Sequence, residues 1–422
     1  MKIPTKRASY EQVLAKKRAE HRAPMRPDPL LRWLVRLLAS SDLRQTRFSY
    51  RVHGMEALDK KTPCLILMNH SSFLDLEIAA RIFKKRPYGI VCTADGFVGK
   101  SMLMRRLGCI PTQKFVPDLS LIGDIRYMLE KNKCSVLMYP EASYSFDGTA
   151  TPLPRKMGIL LKRLNVPVVT VIAQGSFARD PLYNCLQKRQ VTVTAEVSLL
   201  FTPEQIRTLS VAQLDDRLDE VFSFDYFRWQ QENGIVIDEP FRADGLNRIL
   251  YKCPHCGAEG QTEGRGTELV CHACGKRYEL TPTGFLRSPD GDTAFAHIPD
   301  WYAWERSQVR EQIASGTYRL DADVDIGVMV DHKAIYLVGQ GHLTHDENGF
   351  RLTGCDGKLC YTQSPLAGYG LYADYYWYEL GDMICIGNRD ILYYCFPKNC
   401  GDVVARTRLA AEELYKLKKR KC

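Results

Sequence analysis

Apolar positions along the chain follow different rhythms in different stretches. Residues 1–23 are highly charged with helical spacing, and Pro24, Pro27 and Pro29 break that pattern. Leu30, Leu31, Leu34, Val35, Leu37 and Leu38 then recur at the spacing of one helix face, after Asp28 as a cap and Pro29 as a first-turn proline. Arg32 and Arg36 share the opposite stripe, with Trp33 at the edge of the apolar face. That pattern suits an interfacial helix among lipid headgroups or a helix packed on a core. From about residue 45 to 225, short apolar runs at 64–68, 89–93, 135–139 and 168–173 alternate with helical stretches, and 191–200 reads as a further strand. This is the rhythm of an α/β layer with buried, mostly parallel strands. Residues 226–250 read as a linker. Beyond Pro299 the pattern turns to β, at 323–330, 334–338 and 350–352 after the Asn348-Gly349 turn, then along Tyr375, Tyr376, Trp377 and Tyr378. A helix from about 402 to 418 closes the chain.

Four of the 15 cysteines stand apart by spacing. Cys253 and Cys256 form one pair and Cys271 and Cys274 another, with Gly257 and Gly275 just after each. Two such knuckles close a tetrahedral site around Zn²⁺, and the glycines let the backbone turn beneath the thiolates. A redox pair is the competing reading. With sulfur in all four positions no coordination site remains for water, so the metal is expected to hold the fold. His255 and His272 lie inside the knuckles as non-ligands. The expected fold class is therefore α/β, a mixed, mostly parallel sheet with flanking helices, followed by a zinc ribbon and a small β-rich C-terminal domain with a terminal helix. The expected divisions are a basic helical arm at 1–44, an α/β domain at 45–225, the linker at 226–250, the ribbon at 251–282 and the β-rich domain at 299–422.

Of 422 residues, 45% are hydrophobic and 25% charged, which excludes a disordered or fibrous chain. The net charge of +9 resides in residues 1–51, where 13 Lys or Arg face four acids. Such an arm suits anionic phospholipid or nucleic acid, or is simply solvated. The apolar runs fall far short of the ~20 residues of a membrane-spanning helix. The charged first 22 residues lack the apolar stretch of a signal peptide, so a cytoplasmic location is expected.

Candidate chemistry follows the first strand of the α/β part, in Met68-Asn69-His70-Ser71-Ser72-Phe73-Leu74-Asp75. A histidine at a strand end sits where open α/β sheets expose their sites. Its imidazole can take a proton from a hydroxyl while a carboxylate on its other nitrogen fixes the tautomer. His70 and Asp75 can meet if His70 precedes the helix proper, although Ser72-Phe73-Leu74-Asp75 also matches a capping box. Tyr139-Pro140-Glu141-Ala142-Ser143-Tyr144 follows another buried strand, on the same expected edge.

Together these segments resemble the glycerolipid acyltransferase family, of the 1-acylglycerol-3-phosphate acyltransferase type. The match is to its H-x4-D block (Asn69, His70, Asp75) and its P-E-G-T block (Pro140, Glu141, Ala142, Ser143). Gly108 to Lys114 looks like its G-x-I-x-x-x-R segment, and Val166-Pro167-Val168-Val169 like its late strand. The resemblance covers about residues 45–200 and marks 45–225 as an acyltransferase domain. It implies direct transfer of a fatty acyl group from acyl-CoA or acyl-carrier protein to a lipid hydroxyl, with His70 as general base and Asp75 orienting it. It also implies that Asn69, Lys114, Glu141, Ser143 and Tyr144 help hold a lysophospholipid or glycerolipid acceptor. The sequence departs from the family where Lys114 and Tyr144 replace arginines, and lysine lacks the planar fork of guanidinium. Arg105, Arg106 and Arg155 are candidates to compensate. The expected enzyme is peripheral on the inner face of the cell membrane, held through its basic arm. The alternative is a nucleic-acid-binding or scaffold protein with an inactive α/β domain, in which Tyr375, Tyr376 and Trp377 stack bases or pack a core. The nearly neutral ribbon makes nucleic acid the less expected partner.

Overall fold

A computed structural model of the protein describes residues 2–154, 156–398 and 400–421. Its first sheet has seven strands in the order Ser49–His53, Thr194–Phe201, Val168–Gln174, Leu65–Met68, Ser135–Met138, Tyr88–Thr93 and Cys109–Thr112. Every pairing is parallel except that of Val168–Gln174 with Thr194–Phe201. Leu65–Met68 is buried on both faces, which its unbroken apolar run requires. Parallel strands expose their C-terminal ends along one edge, so the segments after Met68, Thr112 and Met138 emerge together.

The second sheet has eight strands, and the fold is the expected mixed α/β arrangement with a β-rich C-terminal part and terminal helix. Along its main path the order is Leu359–Gln363, Gly349–Gly354, Ile335–Asp346, Leu320–Met329, Leu392–Lys398, Gly381–Gly387 and Tyr372–Trp377, all antiparallel. The eighth strand comes from the other end of the chain: Thr5–Arg7 pairs in parallel with Ile335 to Leu337. The expectation of a helical arm over residues 1–23 is corrected here. Residues 5–7 are strand and the helix is confined to Tyr10–Leu14, capped by Ser9 and Gln12 and anchored by buried Tyr10 and Val13. Backbone pairing with a partner remote in sequence overrides the local helical pattern.

Two other expectations are corrected. Residues 226–250 are no linker, because a helix at Tyr226–Glu232 and a turn at Leu246–Arg248 bury Tyr226, Phe227, Ile237, Leu246, Ile249 and Leu250 in the main core. Past residue 298 the chain first forms the helix Ile298–Ala314 and only then turns to β. That helix packs on the terminal helix Val404–Lys421, where Arg306 bridges Glu412 at 2.6 Å and Glu413 at 3.1 Å. A third sheet is a four-stranded antiparallel ribbon of Thr262–Arg265, Glu268–Cys271, Arg277–Leu280 and Leu286–Arg287.

The helix Pro29–Gln45 starts as read, with Asp28 Oδ1 accepting from the amides of Leu30 and Leu31 at 2.9 and 3.2 Å. Its polarity is inverted relative to a core-packed helix. Arg32 donates to the Phe83 and Arg86 carbonyls and Arg36 to that of Lys84, while Leu30, Trp33, Leu34, Leu37 and Leu38 face outward.

Candidate active site and metal centre

Asn69 sets the exit of the central strand. Its side-chain amide donates to the Ala173 carbonyl at 2.9 Å and its oxygen accepts from the Ala173 amide at 2.8 Å, extending the ladder between Leu65–Met68 and Val168–Gln174. It is fully buried, so its expected contact with substrate is corrected: Asn69 positions the loop that carries His70.

Asp75 lies in the first turn of the helix Leu74–Ile82, and one of its oxygens serves three donors. Oδ2 meets His70 Nδ1 at 3.1 Å and accepts from the Ser71 and Ser72 amides at 2.8 and 3.0 Å. The carboxylate thus meets the imidazole and two backbone amides of the preceding loop at once. Tyr139 and Tyr144 cover the two faces of the His70 ring, each with centroids 3.9 Å away. With Nδ1 turned to Asp75 and both faces covered, the Nε2 edge is what His70 offers to the cavity it lines. Burial lowers its pKa below the usual value, Asp75 opposes that and Lys114 adds to it. The ring is therefore neutral near pH 7 and able to accept a proton. When protonated it would lie between two aromatic faces that stabilise a cation.

The Pro140 loop braces this arrangement. Ser145 N donates to the His70 carbonyl at 3.0 Å, and Ala142 adopts the left-handed φ of 59°. The P-E-G-T pattern places glycine there, and alanine holds the turn at a cost of about 1–2 kcal/mol. Glu141 and Ser143, expected at the substrate, are buried away from the cavity. Glu141 Oε2 accepts from the Thr151 amide and hydroxyl at 3.1 and 3.0 Å, and Ser143 Oγ accepts from Arg408 of the terminal helix at 2.9 Å. Of His70, Asp75 and Glu141, His70 alone lines the cavity.

Burial pushes the Glu141 carboxyl up to about 8 from its usual 4.5. The folded protein then keeps a proton that the unfolded chain releases, so this group's contribution to stability falls as pH rises from about 4.5 to 8. Glu141→Gln should remove that slope. The stability of the variant relative to the native protein should rise with pH across the window in denaturant titrations; a pH-independent difference contradicts the assignment.

Lys114, after the edge strand Cys109–Thr112, reaches the cavity and lies over the rings of Tyr372 at 4.3 Å and Tyr144 at 5.6 Å. Burial lowers its pKa, and Asp374 and Asp95 oppose that. Arg105 does not come to the site. It donates to the Arg22 and Ala23 carbonyls at 3.3 and 2.9 Å, pinning the N-terminal segment in a separate groove. Arg106 pairs with Asp28, and Arg155 lies outside the described residues. The cavity encloses about 710 Å³. Its far wall comes from the C-terminal sheet, with Tyr372, Asp374, Tyr375 and Trp377 on one strand. Tyr372 OH donates to Asp95 at 2.5 Å and Trp377 Nε1 to Tyr372 OH at 2.9 Å, while Arg408 lies 4.2 Å over Phe146, tying this wall to the first sheet. Tyr375 and Trp377 are buried by this packing, unlike a base-stacking platform. Sequence reasoning missed Tyr139, Asp374 and Arg408; an aromatic immediately before Pro140 was a local signal for the first, and the other two had none.

Cys253, Cys256, Cys271 and Cys274 converge, with all four sulfurs within 4.8 Å of one another. Cys253 and Cys274 lie 3.9 Å apart and Cys256 and Cys271 3.7 Å. Zn–S bonds of about 2.3 Å in a tetrahedron put sulfurs about 3.8 Å apart, whereas a disulfide needs about 2.05 Å. Gly257 and Gly275 each adopt φ of 75° with open space around them, so backbone conformation and not crowding calls for glycine. The donor set fits a closed four-sulfur metal site.

Residues 49–174 match the family model described as Acyltransferase. The human 1-acyl-sn-glycerol-3-phosphate acyltransferase beta is 25% identical over 154 residues, which cover 36% of this chain and 54% of that protein. A chloroplastic 1-acyl-sn-glycerol-3-phosphate acyltransferase of Brassica napus is 28% identical over 30% of this chain and 37% of its own length. The 1-acyl-sn-glycerol-3-phosphate acyltransferase of Saccharomyces cerevisiae is 28% identical over 30% of this chain and 43% of its own. The chain thus spans about half or less of the length of these relatives. Among solved structures, the 1-acyl-sn-glycerophosphate acyltransferase of Thermotoga maritima aligns at 16% identity with a TM-score of 0.36, over 45% of this chain and 76% of that one. The similarity to acyltransferases therefore lies in the segment from 49 to 174, which carries the His70 and Pro140 loops.

Proposed function

We propose that the protein transfers a fatty acyl group from a thioester donor, acyl-CoA or acyl-carrier protein, to a hydroxyl of a glycerolipid. The observation that carries this reading is the His70 ring, gripped by Asp75, covered on both faces and open at one edge to the cavity. In the proposed step the acceptor O–H gives its proton to Nε2 as its oxygen attacks the thioester carbonyl carbon. The tetrahedral intermediate then expels the thiolate, the C–S bond breaks, and the imidazolium returns the proton to sulfur. No acyl group rests on the protein. Incubation with radiolabelled acyl-CoA and a panel of lysophospholipids, glycerol-3-phosphate and uncharged glycerides tests this. Label should appear in an ester product with one thiol released per ester; release of thiol without ester, or no turnover with any acceptor, would sink the reading.

Two further assignments belong to it. The four cysteines would hold a structural Zn²⁺, which supplies folding energy to the ribbon and takes no part in transfer. The outward apolar face of Pro29–Gln45 would insert among the headgroups of an anionic membrane on the cytoplasmic side. Among the described residues no helix is long and apolar enough to cross a membrane. Leu30 and Leu38 are each 69% exposed, a large apolar surface to leave in water. The double substitution Leu37→Ser and Leu38→Ser should weaken sedimentation with anionic vesicles by at least about tenfold, since each leucine contributes about 1.5–3 kcal/mol when buried. Equal binding would make the face a mere surface feature.

A further inference from the structure

The strand Tyr372–Trp377 of the C-terminal sheet brings a carboxylate, Asp374, to the cavity wall. Asp374 is 7% exposed, and its Oδ1 is buried with no hydrogen-bond partner. A buried acceptor left unmatched is costly, more so when charged, and a hydroxyl of a ligand in the cavity would match it. The backbone just after it is irregular. Pairing with Gly381–Gly387 shifts register between Asp374 and Trp377, and Tyr376 adopts the left-handed φ of 50°, unusual for a bulky side chain.

The charges of the described lining residues disfavour one class of ligand. Among the described lining residues, the cation is Lys114, and the acids are Asp374 and Glu379. Arg408, the nearby guanidinium, is committed to Ser143 Oγ, the Tyr144 carbonyl and Glu412. Among the described residues, a phosphate dianion would meet one lysine, no free guanidinium fork and a buried carboxylate of its own sign, where low dielectric magnifies repulsion. The remaining lining is largely aromatic and aliphatic and suits an acyl chain.

We propose that the appended β domain sets acceptor choice through Asp374: the cavity takes a phosphate-free glyceride with two free hydroxyls, one donating to Asp374 and the other facing His70. The role of the second hydroxyl rests on the acyltransferase reading, whereas the binding preference stands by itself. Asp374 is a specificity residue that touches the acceptor and takes no part in proton transfer.

The test compares a short-chain 1-monoacylglycerol with the 1-acylglycerol-3-phosphate of the same chain, each titrated below its aggregation limit into the full-length protein without donor. Calorimetry, or the change in tryptophan fluorescence, reads the binding. Monoacylglycerol should bind at least about tenfold more tightly, and Asp374→Asn should shrink that preference several-fold. Tighter or equal binding of the phosphate lipid to the native protein overturns the proposal without needing the variant, and so does a preference unchanged in a folded Asp374→Asn. The same pair in a transfer assay separates the two claims. Binding of monoacylglycerol without transfer overturns the acyltransferase reading alone, whereas preferred transfer to the phosphate lipid overturns the role of Asp374 alone.

Discussion

His70→Ala is expected to lower kcat for acyl transfer by about 10²–10⁴-fold, the range that a positioned general base contributes. The donor's affinity should change little, because the residue offers one ring edge to the cavity and its faces pack on protein. Asp75 keeps two backbone donors in the variant, so its charge is not stranded and the fold should persist. Asp75→Asn should lose rate through a different route. The amide can present its NH₂ to Nδ1, favour the wrong tautomer and remove the carboxylate that stabilises the imidazolium. Steady-state rates with labelled acyl-CoA, alongside thermal unfolding of each variant, separate chemistry from folding. Undiminished turnover in a folded His70→Ala protein would remove the dyad from the mechanism.

Cys253→Ser should have the largest effect on stability. The native protein is expected to hold about one equivalent of zinc per chain, and the variant to lose it. Structural zinc contributes apparent values of about 10–16 kcal/mol in zinc-finger peptides, which bounds the cost here from above. Loss should spread beyond the ribbon. Tyr278 on a ribbon strand meets Trp301 edge-on at 4.9 Å, and Trp301 Nε1 donates to the Lys252 carbonyl beside Cys253 at 3.0 Å. A lower unfolding temperature and altered tryptophan fluorescence should therefore accompany the loss of metal. Elemental analysis that finds the native protein free of zinc, or the variant fully loaded, contradicts the assignment.

The core of the site was legible because its chemistry is local. His70 and Asp75 are five residues apart, and the buried runs at 64–68 and 135–139 marked the strands whose ends carry the two loops. The cysteine spacing likewise encoded a closed site within one ribbon. What escaped sequence reasoning depends on tertiary partners. Thr5–Arg7 is wholly polar and becomes a strand through backbone pairing with Ile335 to Leu337. The helix Ile298–Ala314 hides its period because Glu305, on the buried stripe with Trp301, Val309 and Ile313, is a carboxylate accepting from the Lys252 amide at 2.8 Å. Asn69, Glu141 and Ser143 read as substrate contacts because they stand in the two motif blocks of the resemblance, Asn69 beside His70 and the others in the Pro140 block. Each instead satisfies a buried backbone or side-chain partner that holds the loops in place. The aromatic wall and Asp374 come from a strand far along the chain, and no local pattern announces that it closes the cavity over His70.

The proton-accepting role of His70 is tested most directly by the pH dependence of kcat/KM for acyl transfer. The base works when neutral, and burial lowers its pKa below the usual 6.5, so activity should hold as pH falls through 6.5 and disappear at lower pH with the slope of one proton. A rate that falls away already above pH 7, or that shows no loss at any acidic pH at which the protein is shown to remain folded, would contradict a neutral imidazole held by Asp75 as the group that takes the acceptor's proton.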